Sequence, residues 1–162
     1  MANTISRVLT GVANVEIKYP VGGAYVDAGY TEDGVNFEYN ADSADIDVEE
    51  ETMSIDRVLT KEVVAIILNM AEASLYNMDK AMAGSVLAGS TISIGDGVNK
   101  QMSIKVTGTN PDGFDRTITM ALATAVGTSS HPYKRGEKTV VPVRFEALKT
   151  AAAGVTIVDS TS

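Results

Sequence analysis

Polar and apolar residues alternate with a period of two in several short runs, the signature of strands buried on one face. In 13–19, Ala13, Val15, Ile17 and Tyr19 share one face, with Asn14, Glu16 and Lys18 opposite. Pro20-Val21-Gly22-Gly23 predicts a turn and a short strand follows at 25–28. Thr31-Glu32-Asp33-Gly34 predicts a second turn, with Gly34 suited to positive φ. Val35, Phe37 and Tyr39 then alternate with Asn36, Glu38 and Asn40, and Ile46 and Val48 alternate with Asp45, Asp47 and Glu49. These two runs, separated by Asp42-Ser43, predict a long hairpin with one acidic face.

Residues 61–70 (KEVVAIILNM) are apolar on both faces, which predicts a strand covered from two sides. The period then changes. Leu75, Met78 and Met82 fall at helical spacing, Ser74 can cap the start and Gly84 can stop the run, so a helix is predicted over 73–83 with those three residues as its core stripe. Strands return at 90–94, at 101–107 (Met102, Ile104, Val106 inward), at 116–124 (Ile118, Met120, Leu122 inward) and at 139–147 (Val141, Val143, Phe145 inward). Asn110-Pro111-Asp112-Gly113 is a turn, and Pro142 predicts an edge or a bulge in the last of these strands. A polar loop, 126–138, carries Lys134, Arg135 and Lys138. The termini, 1–10 and 150–162, read as extended segments, loosely held or ordered by assembly.

Val, Ile and Thr number 46 against 7 Leu, which reinforces β-structure, because branched side chains pack well on a pleated surface. With 162 residues, no internal repeat and no linker composition, the chain reads as one domain. The predicted fold is mainly β: two packed antiparallel sheets, a sandwich or partly closed barrel, with one flanking helix near 73–83.

Charge adds a second feature. Residues 29–60 hold ten acids against one base, Arg57, so this segment carries the whole excess of a chain whose net charge is −8. A nucleic-acid binder would show the opposite sign on its working face. The run Asp42–Met53 fails as a calcium loop, since its sixth residue is Asp47 rather than glycine and its twelfth is Met53 rather than glutamate. Cysteine is absent and His131 is the single histidine, which excludes disulfides, thiol catalysis and multi-histidine metal sites. His131 lies in a Ser/Gly/Pro/Lys loop without a nucleophile elbow and reads as a surface residue. Gly84–Gly89 lacks the Lys-Ser/Thr of a phosphate loop, and Gly95-Asp96-Gly97 reads as a turn. No enzyme constellation, cofactor or metal is expected. No apolar run reaches the roughly 18 residues of a spanning helix, and the opening MANTISRVLTG has no apolar signal region, so synthesis in the cytoplasm is expected.

The order of these features resembles the tail tube (major tail) proteins of long-tailed bacteriophages. The stretch that carries the resemblance is Gly29-Tyr30-Thr31-Glu32-Asp33-Gly34-Val35, followed by an acid-rich hairpin, Val58-Leu59-Thr60, a long strand, and Ala71-Glu72-Ala73-Ser74-Leu75 opening the helix. The resemblance covers roughly residues 10–150. It implies two packed antiparallel sheets flanked by a helix, shared with the tubes of contractile tails, bacteriocins and type VI secretion. It also implies hexameric rings stacked into a hollow tube in a virion tail, through which DNA passes without tight binding. The implied partners are further copies of the chain and other tail proteins, such as tape measure, tail tip and terminator, with no membrane and no catalytic residues. The alternative reading is a β-sandwich ligand- or carbohydrate-binding module, disfavoured by the absence of Trp and an aromatic content of 6%.

Under the tube reading, Glu38, Asp45, Asp47 and Glu49 are expected to line or rim the lumen, where an acidic wall repels phosphate, the rival reading being that they sit on the ring's top or bottom face. Asp42, Glu50 and Glu51 are expected to meet Lys134, Arg135 and Lys138 of a neighbouring copy.

Overall fold

The structure is a computed structural model that describes residues 13–95 and 97–161. Among these residues, ten strands and one helix follow in order: β1 (Asn14–Lys18), β2 (Tyr25–Asp27), β3 (Thr31–Ile46), β4 (Asp56–Met70), α1 (Leu75–Ala81), β5 (Ser85–Ala88), β6 (Thr91–Ile94), β7 (Met102–Thr109), β8 (Asp115–Val126), β9 (Val141–Ala147) and β10 (Val155–Asp159). Eight strands form one antiparallel sheet in the order β2-β1-β7-β8-β9-β4-β3, with β10 paired to β8. β5 and β6 form a separate two-stranded sheet. The mainly-β antiparallel class with a single helix therefore holds, but the two sheets are very unequal. The barrel is not closed, because the large sheet ends in β2 on one side and β3 on the other.

The core follows the period-two pattern. Val15 and Ile17 of β1, Ile104 of β7, Met120 of β8, Ile66 and Met70 of β4, and Val141 and Phe145 of β9 are completely buried in one cluster. Each such side chain contributes about 1.5–3 kcal/mol relative to exposure. β9 is interior to the sheet, yet Pro142 is tolerated there. The β8–β9 pairing covers only Arg144–Ala147, so Pro142 lies where β9 has β4 alone as neighbour.

Several local expectations are corrected. Residues 31–34 do not form a turn between strands. They lie within β3, where the register jumps from Glu32↔Asn69 to Val35↔Leu68 and the two extra residues, Asp33 and Gly34, take φ of 60° and 77°. This is a bulge, not a chain reversal. The runs 35–39 and 45–49 are likewise not two arms of one hairpin. Residues 31–46 are one continuous strand whose antiparallel partner is β4. In β8, two residues, Ala121 and Leu122, oppose Ser103 alone. This bulge flips the alternation, so Ala123 and Ala125 are buried and Leu122 is not. The C-terminal segment beyond 150 is not loose. β10 pairs with β8 through five residue pairs, and Arg116 grips Asp159 at 2.6 and 2.7 Å. The expectation for residues 1–10 lies outside the described residues.

The helix is shorter than predicted and turned. Ser74 caps it as expected, its hydroxyl accepting from the Asn77 amide at 3.2 Å. Met82 has already left helical geometry, two residues before Gly84. Leu75, expected in the core, is 41% exposed, whereas Asn77, Asp79 and Lys80 are buried. Asn77 donates to the carbonyls of Ala28 and Glu72, both at 2.8 Å, which ties the helix to the segment after β2. Buried polar groups of this kind persist only when bonded, and here distant partners supply the bonds.

Candidate assembly surface

β3 and β4 pair continuously from Thr31↔Met70 to Ile46↔Asp56, but β9 covers β4 only from Ala65 to Met70. Beyond Tyr39↔Val64 the hairpin runs on as a two-stranded arm. Every residue from Glu38 to Glu62 is exposed. Seven residues of β3 beyond Tyr39 give an arm of about 23 Å before its tip. An isolated two-stranded ribbon is marginal in water, and this one carries apolar side chains without a second layer. Ile46, Ile55, Leu59 and Met53 are 42%, 56%, 59% and 81% exposed. The outer edge of β3 also has no strand partner among the described residues. An open edge of such length is a site for pairing with another chain.

The acids sit on this arm in three different settings. Glu38 is at its base. Its carboxylate accepts from the Arg144 Nη1 at 2.7 Å, and Arg144 also donates through Nε to Glu146 at 3.0 Å. These two carboxylates push the Arg144 guanidinium above its ordinary value. Asp45 is near the outer end of β3, where Arg57 grips it through Nε and Nη2 at 2.5 and 3.2 Å. That bond holds the Asp45 carboxyl below the usual carboxylate range. Asp47 and Glu49 lie past the end of the strand, in the tip with Glu50 and Glu51. Along β3 between Glu38 and Asp45 the alternation is regular, since the extra residue at the Asp42/Ser43 shift, Thr60, belongs to β4. Glu38 and Asp45 are an odd number of positions apart and so face opposite sides of the hairpin. Asp42, Asp47, Glu49, Glu50 and Glu51 enter no ion pair among the described residues.

The basic loop does not meet these acids within the chain. Lys138 pairs with the half-buried Glu32 at 3.0 Å, and Lys134 pairs with Glu137 at 3.7 Å, the latter two both exposed. Arg135 is exposed beside them. His131 is in this loop as expected, its Nε2 2.9 Å from the Ser129 hydroxyl, which also donates to the Pro142 carbonyl. No carboxylate orients the ring among the described residues.

Two features escape the sequence pattern. An open groove of about 680 Å³ separates the base of the arm from β10, lined by Phe37, Tyr39, Val64, Leu148, Val155 and Ile157. The other is a buried charged cluster under α1, formed by Asp79, Lys80, Ser85 and Lys100. Its lysines stand in ordinary polar contexts along the chain, and nothing in their spacing marks them for burial.

No protein-family model and no curated protein matches the sequence. The fold does match solved structures. One is a chain in the cryo-EM structure of the anti-feeding prophage (AFP) baseplate, 6-fold symmetrised, with a TM-score of 0.55 and 10% identity over 98% of this chain and 97% of that one. At such identity the likeness concerns the fold, and it extends over nearly the full length of both chains.

Proposed function

We propose that the chain is a structural subunit of a phage-tail-like particle, assembling as stacked six-membered rings into a hollow tail tube that lets DNA pass. The observation that carries this reading is the arm: a hairpin exposed from Glu38 to Glu62, with apolar side chains and an open β3 edge. A monomer gains nothing from that surface, whereas a ring covers it. The whole-length likeness of fold to a baseplate chain supports the same class of particle. The particle would be made in a bacterial cytoplasm and would join other tail proteins, such as tape measure, tail tip and terminator.

Within this proposal the arm acids have separate tasks. Glu38, held by Arg144 on the polar face of the sheet, lines the lumen, with Asp45, Asp47 and Glu49 at the lumen rim or the ring face. Asp42, Glu50 and Glu51, which enter no ion pair among the described residues, meet Lys134 and Arg135 of a neighbouring copy. Lys138, already paired with Glu32, bridges the same joint from the side. Chemistry plays no part in this role, so no catalytic or cofactor residue is assigned.

Negative-stain microscopy of the purified chain, with analytical ultracentrifugation across concentration, tests the proposal. Rings or tubes are expected. A chain that stays monomeric at every concentration, and also with partner tail proteins, overturns it.

A further inference from the structure

Beneath α1, two ammonium groups converge on one carboxylate out of reach of solvent. Asp79, Lys80, Ser85 and Lys100 are 1%, 3%, 2% and 4% exposed. Lys100 Nζ donates to Asp79 Oδ1 at 2.7 Å, to the Asp79 carbonyl at 2.5 Å and to Ser85 Oγ at 2.8 Å. Lys80 Nζ donates to the other oxygen, Oδ2, at 2.6 Å, and stands over the rings of Tyr19 and Tyr76 at 4.1 and 4.8 Å. The Ser85 hydroxyl bonds Oδ1 at 2.7 Å. The site therefore buries one more positive than negative charge, an arrangement that costs desolvation for all three ions.

We propose that Lys100 and Asp79 condense into an intramolecular isopeptide bond, Nζ of Lys100 to Cγ of Asp79. The Lys100 ammonium gives one proton to the Asp79 carboxylate it bonds, from which it departs on Oδ2, and the freed lone pair attacks Cγ. Lys80 protonates Oδ2, the oxygen that leaves, and recovers a proton from the Lys100 nitrogen. Of the three protons on Lys100, one stays on the amide and two depart with Oδ2 as water. The site keeps its single positive charge, now on Lys80 between two aromatic rings, and no external reagent is consumed. The hydroxyl of Ser85 at Oδ1 is placed to stabilise the oxyanion of the tetrahedral intermediate. The fixed contact supplies the proximity on which such a reaction depends.

The electrostatics favour these roles. Burial pushes the Lys100 ammonium down from its ordinary value, although the Asp79 bond opposes it, which raises the share of nucleophilic amine. Burial pushes the Asp79 carboxyl up, but the bonds from Lys100, Lys80 and Ser85 outweigh it and hold the group ionised, so a proton donor at Oδ2 is needed. The bond would close the segment between Asp79 and Lys100, locking the β5–β6 hairpin under the helix.

Mass spectrometry of the denatured full chain tests this. The expected intact mass is lower than the sequence mass by one water. A tryptic digest should give a branched peptide joining the Asp79 and Lys100 segments, with no cleavage after Lys100. Succinimide formation at Asp33-Gly34, Asp96-Gly97 or Asp112-Gly113 also loses water, so the branched peptide is the deciding signal. Lys100→Arg should restore the full mass, and Lys80→Met should slow or abolish the loss while keeping both joined residues. A folded wild-type chain at full sequence mass, or a water loss mapped elsewhere, overturns the proposal. If Lys100→Arg does not fold, the wild-type peptide map still decides.

Discussion

The β3–β4 hairpin is two structures on one pair of strands. Its inner half pairs with β9 and buries Ile66, Leu68 and Met70 completely or nearly so. Its outer half has the same backbone ladder but no third strand and no covered face, and every side chain from Glu38 to Glu62 is exposed. Hydrogen-bonded pairing is thus common to both, and packing belongs to one. The difference shows that the ladder by itself does not create a core. In the inner half, tertiary packing stabilises the strands. In the outer half, stability must come from another chain or be marginal.

The largest expected contrast is in stability. Phe145→Ala, at a fully buried position of β9 beside the inner half, should lower unfolding free energy by about 3–5 kcal/mol. Met53→Ala at the arm tip, at an 81% exposed position, should stay within about 0.5 kcal/mol. Urea denaturation of both variants checks this, and comparable losses would break the comparison. Next comes removal of the arm itself. Replacing residues 43–60 by an Asn-Gly turn between the paired Asp42 and Lys61 should preserve the folded monomer, since none of those residues reaches the core. Rings and tubes should disappear from micrographs. A shortened chain that still assembles would detach the arm from its proposed role.

A smaller effect is expected from charge. Lys134→Glu with Arg135→Glu should shorten tubes and weaken their salt dependence, because exposed ion pairs contribute only about 0–1 kcal/mol each and are screened over about 8–10 Å at physiological ionic strength. Restoring the sign match with Glu50→Lys and Glu51→Lys should recover tube length. The smallest effect concerns acid. Arg116 beside Asp159 holds that carboxyl below the usual carboxylate range. The contribution of this pair to β10 docking is complete above the ordinary carboxylate pKa and is lost as pH falls through the lowered value. Hydrogen exchange should show β10 amides losing protection on acidification before those of β9.

Short-range pattern alone was enough for much of this molecule. The alternation at Val15/Ile17, Met102/Ile104/Val106 and Val141/Val143/Phe145 places those residues in the core, because a strand has two faces and only one can meet it. Asn110, whose side chain accepts from the amides of Asp112 and Phe114, makes its turn by local bonds. The Ser74 cap is local too, and was legible for that reason. The density of acids between residues 29 and 60 was also plain, since it is a property of composition.

Tertiary structure decided everything that depends on a distant partner. Leu75, Met78 and Met82 form a convincing stripe, and Met78 does pack against the core, yet Leu75 is exposed and the helix turns Asn77, Asp79 and Lys80 inward because Ala28, Ser85 and Lys100 wait there to bond them. Ala121-Leu122 and Asp33-Gly34 look like ordinary strand and turn residues, and only the register of the neighbouring strand makes them bulges. β10 becomes a strand because β8 offers it a free edge. The pairing of Asp45 with Arg57, and of Glu38 with Arg144, likewise follows from which strands lie side by side. Periodicity and capping are set within a few residues of chain. Register, the satisfaction of buried charge and the choice of strand neighbour are set by groups tens of residues away, and they become fixed only when the whole sheet is assembled.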